Sequence, residues 1–418
     1  MFHDLYANFY QDTLENGLSV YSKEWPNVNW FYSGVVIHAG VKEDPPGREG
    51  LAHLLEHLVG ENVGDFTFSQ LENRFEELGG WGSFGSTSYL ATNYKFHLPA
   101  QTNSIREALT LFGKMVLMGT ITRQIEEEKA VVVREYYREY EHEHARTWDM
   151  QGRPFLFEGH SRLQTYHSAL GVLNEFLQCT AEELQIFYDR YYVPKNISLV
   201  CIGPTPRECM LRILQETPFS VSKRGERSSM PNAFSPQPPQ RQETIVQLSE
   251  FSALAGSQLT LTYEWVVPLR FTKYSVRILC DLLEKMLTEE LRYKRRITYT
   301  VNVDYEFWQD CRTLHIHIEI PPERRAMVQD LLWQVLGSLP QAEEKFLVAK
   351  QERINCIYRM DYSGYDLLQA AMSDLANYQR LISFTEELHQ WEQTTFQHLL
   401  ELADYLTPER HFCFLLQP

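Results

Sequence analysis

The order of apolar and polar positions along the chain predicts two rounds of one layout. Val35-Val36-Ile37 and residues 259–267 are apolar runs of strand length. Leu314-His315-Ile316-His317-Ile318-Glu319-Ile320 alternates with period two, which predicts a strand with one buried face. Residues 71–78 read as helix and 89–96 as strand. The glycine-rich run Gly80-Trp81-Gly82-Ser83-Phe84-Gly85 between them reads as a turn. Residues 115–119 and 331–339 lie in helical surroundings. Thr180 opens a helix that stops before Pro194 and a strand at 197–202. Thr394 opens another that stops before Pro408 and the apolar run 412–416. Both threonine-to-proline spacings are fourteen residues. Each half therefore runs strand, helix, strands, helices. The expected fold class is α+β: two structurally similar domains, each a mostly antiparallel sheet covered by helices on one face.

Between residues 218 and 241 the periodicity stops, and serine, glycine and proline dominate, with Pro231, Pro236, Pro238 and Pro239 among them. Such composition resists regular structure and reads as a linker. The predicted division is an N-terminal domain at 1–217, the linker at 218–241 and a C-terminal domain at 242–418. The halves also echo each other in detail. Ala52-His53-Leu54-Leu55-Glu56-His57 resembles Cys280-Asp281-Leu282-Leu283-Glu284-Lys285. Asp281 and Lys285 stand where the first half has histidines. The first half is expected to carry the chemistry and the second to be a degenerate copy.

The residues of that first half predict metal-assisted amide hydrolysis. His53 and His57 lie four residues apart, so on a helix both imidazoles project from one face. Two neutral ring nitrogens so placed can reach one Zn²⁺ at roughly 2.0–2.1 Å. Glu56 is close enough to take the proton of a metal-bound water and pass it to a leaving amine. Leu51, Leu54, Leu55 and Leu58 make the rest of the helix apolar. Catalytic zinc wants a third protein ligand. The acidic helix around Glu128 and Glu135 offers two carboxylates on one face, seven residues apart. One could bind the ion and the other orient a histidine; spacing leaves open which does which. Rival groups read as structure. His315, His317 and Glu319 are the polar face of an alternating strand, and His142, Glu143 and His144 are surface residues. Gly80–Gly85 matches G-x-G-x-x-G, but follows a helix and leads into a strand, the reverse of a dinucleotide site.

Composition narrows the classes. The chain has 418 residues, 44% hydrophobic and 13% aromatic, enough for two or three globular domains. A net charge of −16 argues against general nucleic-acid binding. The start, Met1-Phe2-His3-Asp4-Leu5, has no basic segment followed by an apolar core, and no run of about 18 apolar residues predicts a membrane span. Seven scattered cysteines, none in C-x-x-C, fit a reduced, cytoplasmic protein.

Gly50-Leu51-Ala52-His53-Leu54-Leu55-Glu56-His57 resembles the G-x-A-H-x-x-E-H signature of the pitrilysin/insulinase family of zinc peptidases. Glu128 to Glu135, with Val132 between them, resembles that family's E-x-x-x-V-x-x-E helix. The resemblance implies that Glu135 is the third ligand and Glu128 the supporting carboxylate. Residues 291–301 resemble the family's L-R-x-K-x-x-x-x-Y-x-V segment. By that resemblance Arg292 and Tyr299 act on substrate, Arg holding a carbonyl and Tyr donating to an oxyanion. Without it, this basic stretch reads as an exposed turn. Thr180 through Gly203 and Leu170-Gly171 also look like elements closing the family's first domain. Departures occur at Phe84–Tyr94, where Thr87, Ser88, Thr92 and Tyr94 are kept but the family's Asn, Ala and Glu are lost, and at Thr298, where glycine is usual. Thr87 and Ser88 would lie on the strand that holds substrate. The resemblance implies a zinc endopeptidase of the small two-domain, processing-peptidase-like branch, with one Zn²⁺ per chain and short or unfolded peptides as substrates in a closed chamber. A homodimer is implied. The alternatives are a heterodimer with a related subunit, and a non-catalytic structural subunit of the same fold.

Overall fold

The structure, a computed structural model, describes residues 4, 6–64, 66–139, 148–225, 227–229, 233–247, 258–359 and 363–417. Its first sheet holds β1 (Phe9–Thr13), β2 (Ser19–Glu24), β3 (Trp30–Ile37), β4 (Trp81–Thr87), β5 (Thr92–Pro99) and β6 (Ile197–Gly203). Helices α1 (Leu51–Glu61), α2 (Phe68–Glu77), α3 (Thr102–Leu117), α4 (Ile125–Glu139), α5 (Ala181–Tyr191) and α6 (Arg207–Gln215) accompany it. The second sheet holds β7 (Glu243–Gln247), β8 (Leu259–Pro268), β9 (Val301–Phe307), β10 (Cys311–Ile320) and β11 (Phe412–Gln417). Its half contains α7 (Lys273–Thr288), α8 (Arg325–Gly337), α9 (Glu343–Arg359), α10 (Gly364–Tyr378), α11 (Phe384–Gln393) and α12 (Phe396–Tyr405).

The strand orders are β1-β2-β6-β3-β5-β4 and β7-β11-β8-β10-β9. Apart from the added β1, they are the same sheet. In each, the first and last strands of the half pair in parallel, β2 with β6 and β7 with β11, and the other neighbours are antiparallel. The α+β reading with two similar, mostly antiparallel sheets holds. Alternation carries the register. In β10, Leu314, Ile316, Ile318 and Ile320 are fully buried, while His315 and His317 are half-buried and Glu319 is exposed. In β5, Tyr94, Phe96 and Leu98 are buried; Phe96 packs against Phe75 of α2 and Phe112 of α3 at 5.1 and 4.9 Å between ring centroids. Lys95 and His97 point to the opposite face, where α10 lies.

The two compact units do not follow chain order. One comprises Met1–Tyr137, Ser168–Ser229 and Asp361–Ser383; the other comprises Arg138–His167, Met230–Met360 and Phe384–Pro418. The chain thus crosses over after α4 and again after α9, the corresponding helices of the two halves. The predicted linker opens with a single 3₁₀ turn, Pro218–Ser220, whose Phe219 is buried 6.2 Å from the Phe112 ring. Farther on, the Ser228 amide donates to Asn196 Oδ1.

Two local expectations are corrected. The glycine-rich run is not a turn but the edge strand β4, with a bulge between Ser83 and Ser86. Glycines carry no side-chain pattern, so their pairing with β5 was invisible. The cap of α12 is Thr395, not Thr394: its hydroxyl accepts from the His398 amide, whereas Thr394 Oγ1 donates to the Gln390 carbonyl. The Thr180 cap is as expected. All seven cysteines are unpaired, five of them buried. Among the described residues no helix is long and apolar enough to cross a membrane.

Candidate metal centre

The site is built on α1. Gly50 caps it with φ +99° and offers no side chain. A Cβ there would also fall 2.6 Å from the Leu170 carbonyl oxygen, so glycine is required twice over. Asp44 supplies the missing cap: its carboxylate accepts from the Gly50 and Ala52 amides, both at 2.8 Å. At the other end, Asn62 Nδ2 donates to the Leu58 carbonyl, and its Oδ1 accepts from the Thr122 and Arg123 amides at 3.1 Å. Asn62 thereby ties the end of α1 to the segment entering α4. Leu51, Leu54, Leu55 and Leu58 are fully buried. At about 1.5–3 kcal/mol each, they outweigh the cost of carrying a few polar groups into the same interior, about 1–3 kcal/mol for each one left unsatisfied.

The polar flank of α1 meets α4. Glu135 Oε2 lies 3.7 Å from His53 Nε2 and 3.6 Å from His57 Nε2. Tetrahedral zinc with bonds near 2.0–2.1 Å spaces its ligand atoms by about 3.3–3.5 Å, so these distances fit one ion. Glu128 Oε2 lies 3.1 Å from His57 Nδ1, which holds the ring with Nε2 turned to Glu135. Burial, then the neighbouring His57, pulls His53 down to about 3, so its ring stays neutral and its lone pair available. Burial also acts against a charge on His57, but the Glu128 hydrogen bond and the carboxylates of Glu56, Glu128 and Glu135 raise it. The residues present fit a divalent cation: two imidazoles and one carboxylate converge, and this set is one of two potential ligand clusters among the described residues.

Glu56 stands beside them and points to β4. Its Oε2 accepts from Thr87 Oγ1 at 2.7 Å. Burial pushes its carboxyl up to about 7; Thr87 and His57 oppose the rise, and Glu135 adds to it. A carboxyl poised there can take or give a proton near neutral pH. Gly85 makes the approach possible: a Cβ on it would fall 2.2 Å from Glu56 Oε1. Ser88 is occupied in the turn after β4. Its hydroxyl accepts from the Leu90 and Ala91 amides and donates to the Ala91 carbonyl. The expected substrate stretch Phe84–Tyr94 spans two strands. Among the described residues, β4 is paired on one side only and β5 on both, and Tyr94 is buried with its hydroxyl 2.9 Å from that of Tyr192.

Arg292 and Tyr299 come together in the other compact unit. Helix α7 runs on into a π-helical turn, Glu289–Lys294, which carries Arg292 and is anchored by the buried Leu291. The chain then turns through Arg296 at φ +54°, a left-handed conformation costly for a residue other than glycine. Tyr299 emerges 80% exposed, with the Arg292 guanidinium 4.4 Å from its ring centroid. Thr298, where glycine was expected, is buried and donates to the Thr300 carbonyl at 2.9 Å.

The second half's version of the metal centre is an ion-pair cluster. Asp281 and Lys285 on α7 pair with Arg353 and Glu352 on α9. Arg353 lies ten residues after the start of α9, as Glu135 lies ten after the start of α4. Opposite charges there neutralise one another without a cation.

The other candidates do not gather ligands. His160 Nε2 is 2.9 Å from Asp310 Oδ2 with Cys311 nearby, but the Arg162 and Leu163 amides both donate to His160 Nδ1. The neutral ring therefore carries its proton on Nε2 and has no lone pair left for a metal. Burial also raises the Cys311 thiol, keeping it protonated. His317 bonds Thr262 at 3.2 Å and joins no potential ligand cluster among the described residues. His142, Glu143 and His144 lie outside the described residues. Sequence reasoning missed Asp44, Asn62 and Gly85. An acid six residues before the helix cap was the available signal for Asp44; nothing local marked the other two.

Residues 19–152 match the family model described as insulinase (peptidase family M16), and residues 178–352 match the peptidase M16 inactive domain. An uncharacterized zinc protease of Mycobacterium leprae is 23% identical over 99% of this chain and 92% of its own length. The zinc protease PqqE of Helicobacter pylori is 25% identical over 54% of this chain, and the match spans half of that protein. The match to the probable zinc protease PqqL of Escherichia coli spans 19% of that protein's length. Among solved structures, a peptidase M16 inactive domain from Pseudomonas fluorescens superposes with a TM-score of 0.81, at 17% identity over 98% of both chains. Pitrilysin gives 0.77 at 15% identity, over 99% of this chain and 45% of that one.

Proposed function

The chain belongs to the M16 peptidase family, and from that premise we propose that it is a zinc-dependent endopeptidase acting on short or unfolded peptides. The observation that carries the reading is Glu135 Oε2 within 3.7 Å of both histidine Nε2 atoms, with the Glu56 carboxyl beside them. His53, His57 and Glu135 would hold one Zn²⁺, and Glu128 would orient His57. A divalent ion held there supplies Lewis acidity toward a peptide carbonyl and lowers the pKa of a water.

The chain's own groups do the rest. Glu56 accepts a proton from the attacking water as the water oxygen bonds to the scissile carbon. It returns a proton to the leaving nitrogen as the C–N bond breaks. Thr87 keeps the carboxylate aimed. The free edge of β4 offers backbone amides and carbonyls to an extended peptide, which tolerates many sequences. Arg292 would hold a substrate carbonyl and Tyr299 would donate to the oxyanion. The proposal includes a homodimer, which mass measurement of the purified protein separates from a heterodimer, and a cytoplasmic workplace, where seven thiols stay reduced.

Two observations favour a second reading. The inactive-domain match to residues 178–352 and the ion pairs at Asp281 and Lys285 fit a half without catalysis, and in a structural subunit the whole chain would be inert. Digestion of a random peptide library, with and without chelator and read by mass spectrometry, decides. The proposal expects cleavage that chelator abolishes and that His53→Ala lacks. An uncut library would favour the structural subunit.

A further inference from the structure

Helix α10 crosses over to pack on the face of the first sheet turned away from α1. It lies on β3 and β6: a Cβ on Gly34 of β3 would fall 2.2 Å from Met372 Sδ and 3.2 Å from a Leu368 methyl. Between it and the β4–β5 hairpin runs a groove of about 340 Å³. Ser86, Asn93 and Lys95 line it from the sheet, and Gln369, Ser373 and Asn377 line it from α10.

Two features set its chemistry. Among the described residues the lining contains one cation, Lys95, and no carboxylate, although the chain as a whole carries sixteen excess negative charges. Lys95 Nζ is held 2.8 Å from Gln369 Oε1 and 5.3 Å from the Tyr365 ring centroid, so the ammonium is positioned but not neutralised by an acid of the lining. Around it stand hydroxyls and side-chain amides, which can turn either end to a ligand; the Asn93 oxygen is buried without a partner.

Position sets the occupant. A peptide added to the edge of β4 alternates its side chains between the two faces of the sheet. One set points to the α1 face, where Glu56 and the histidines lie. The other set points to the α10 face, beside the groove. We infer that this groove reads a substrate side chain on the α10 face and selects for aspartate or glutamate there, with Lys95 as the specificity-determining residue. The inference rests on the peptidase reading and names its substrate class.

The test uses the full chain and matched peptides carrying Glu, Gln or Lys at each position flanking the cleaved bond. Wild type is expected to show kcat/KM about tenfold higher for Glu than for Lys at one α10-facing position, the scale of a single charge-assisted hydrogen bond. Lys95→Met should flatten that preference and Lys95→Glu should reverse it. Gln369→Glu, on the exposed helix side, leaves β5 untouched and should also weaken the preference for Glu. Cleavage whose Glu-to-Lys ratio is the same in wild type, Lys95→Glu and Gln369→Glu would overturn the groove's role while leaving the peptidase standing. Wild type that cuts no peptide would overturn both.

Discussion

At the scale of single residues, the proposed chemistry turns on how Glu56 is held. Burial pushes its carboxyl up to about 7, Thr87 donates to one oxygen, and the other faces the bare Cα of Gly85. Gly85→Ala places a methyl group where that oxygen sits. Glu56 must then swing away, while His53, His57 and Glu135 keep their places. The expected result is a fall in kcat/KM of about 10²-fold, the scale of a misplacement of about 1 Å, with zinc content unchanged; steady-state kinetics and metal analysis on one preparation check it. His53, Glu56 and His57 were legible in the sequence because helical spacing alone puts them on one face. Gly85 was not, because its role exists only once β4 is laid against α1, bringing it to Glu56, 29 residues earlier in the chain. The choice between Glu128 and Glu135 was open for the same reason: both share a helix face, and only the packing of α4 on α1 sets which one sits between the two Nε2 atoms.

At the scale of elements, alternation and caps were readable and the edge strand was not. β10 and α5 declare themselves through period-two burial and a capping box. Four of the seven residues of β4 are glycine or serine, so no hydrophobic pattern marked it. A buried acid in β8 gives a test of how such strands tolerate charge. Glu264 is 8% exposed, and one of its oxygens has no partner. Burial raises its pKa well above the usual value, Glu306 adds to this, and Arg153 opposes it. A carboxyl raised in the folded state favours the protonated form there. Its contribution is fully present below the unfolded value near 4.3 and is lost as pH rises through the folded pKa. Glu264→Gln cannot ionise. It should therefore melt a few degrees higher than wild type at pH 8, about 2–4 °C per kcal/mol recovered, and at the same temperature near pH 4. Thermal denaturation at the two pH values measures this; an equal shift at both would show that the charge is not what costs stability.

At the scale of the whole molecule, the chain is one plan used twice, with the proposed chemistry placed in one copy. The repeat was legible from the shared helix, proline, strand order at the end of each half and from Cys280–Lys285, although the helix cap in the second half is Thr395 and not the Thr394 that made the two spacings equal, and the shared strand order bears out the two similar sheets. The reciprocal crossover after α4 and α9 was not legible, because no local pattern says which unit a helix will pack on. In the second copy, Arg353 and Glu352 pair with Asp281 and Lys285 where the first copy brings together His53, His57 and Glu135, the proposed ligands. The proposed function therefore expects a single ion per chain. The most direct test of the account is zinc content and peptide turnover measured together on wild type and Glu56→Gln. The account predicts about one zinc per chain in both proteins, and turnover lower by about 10²–10⁴-fold in the variant, since the amide keeps the shape of Glu56 but cannot take the proton. Wild type that binds no zinc, or a Glu56→Gln protein that cuts peptides at the wild-type rate, would contradict it.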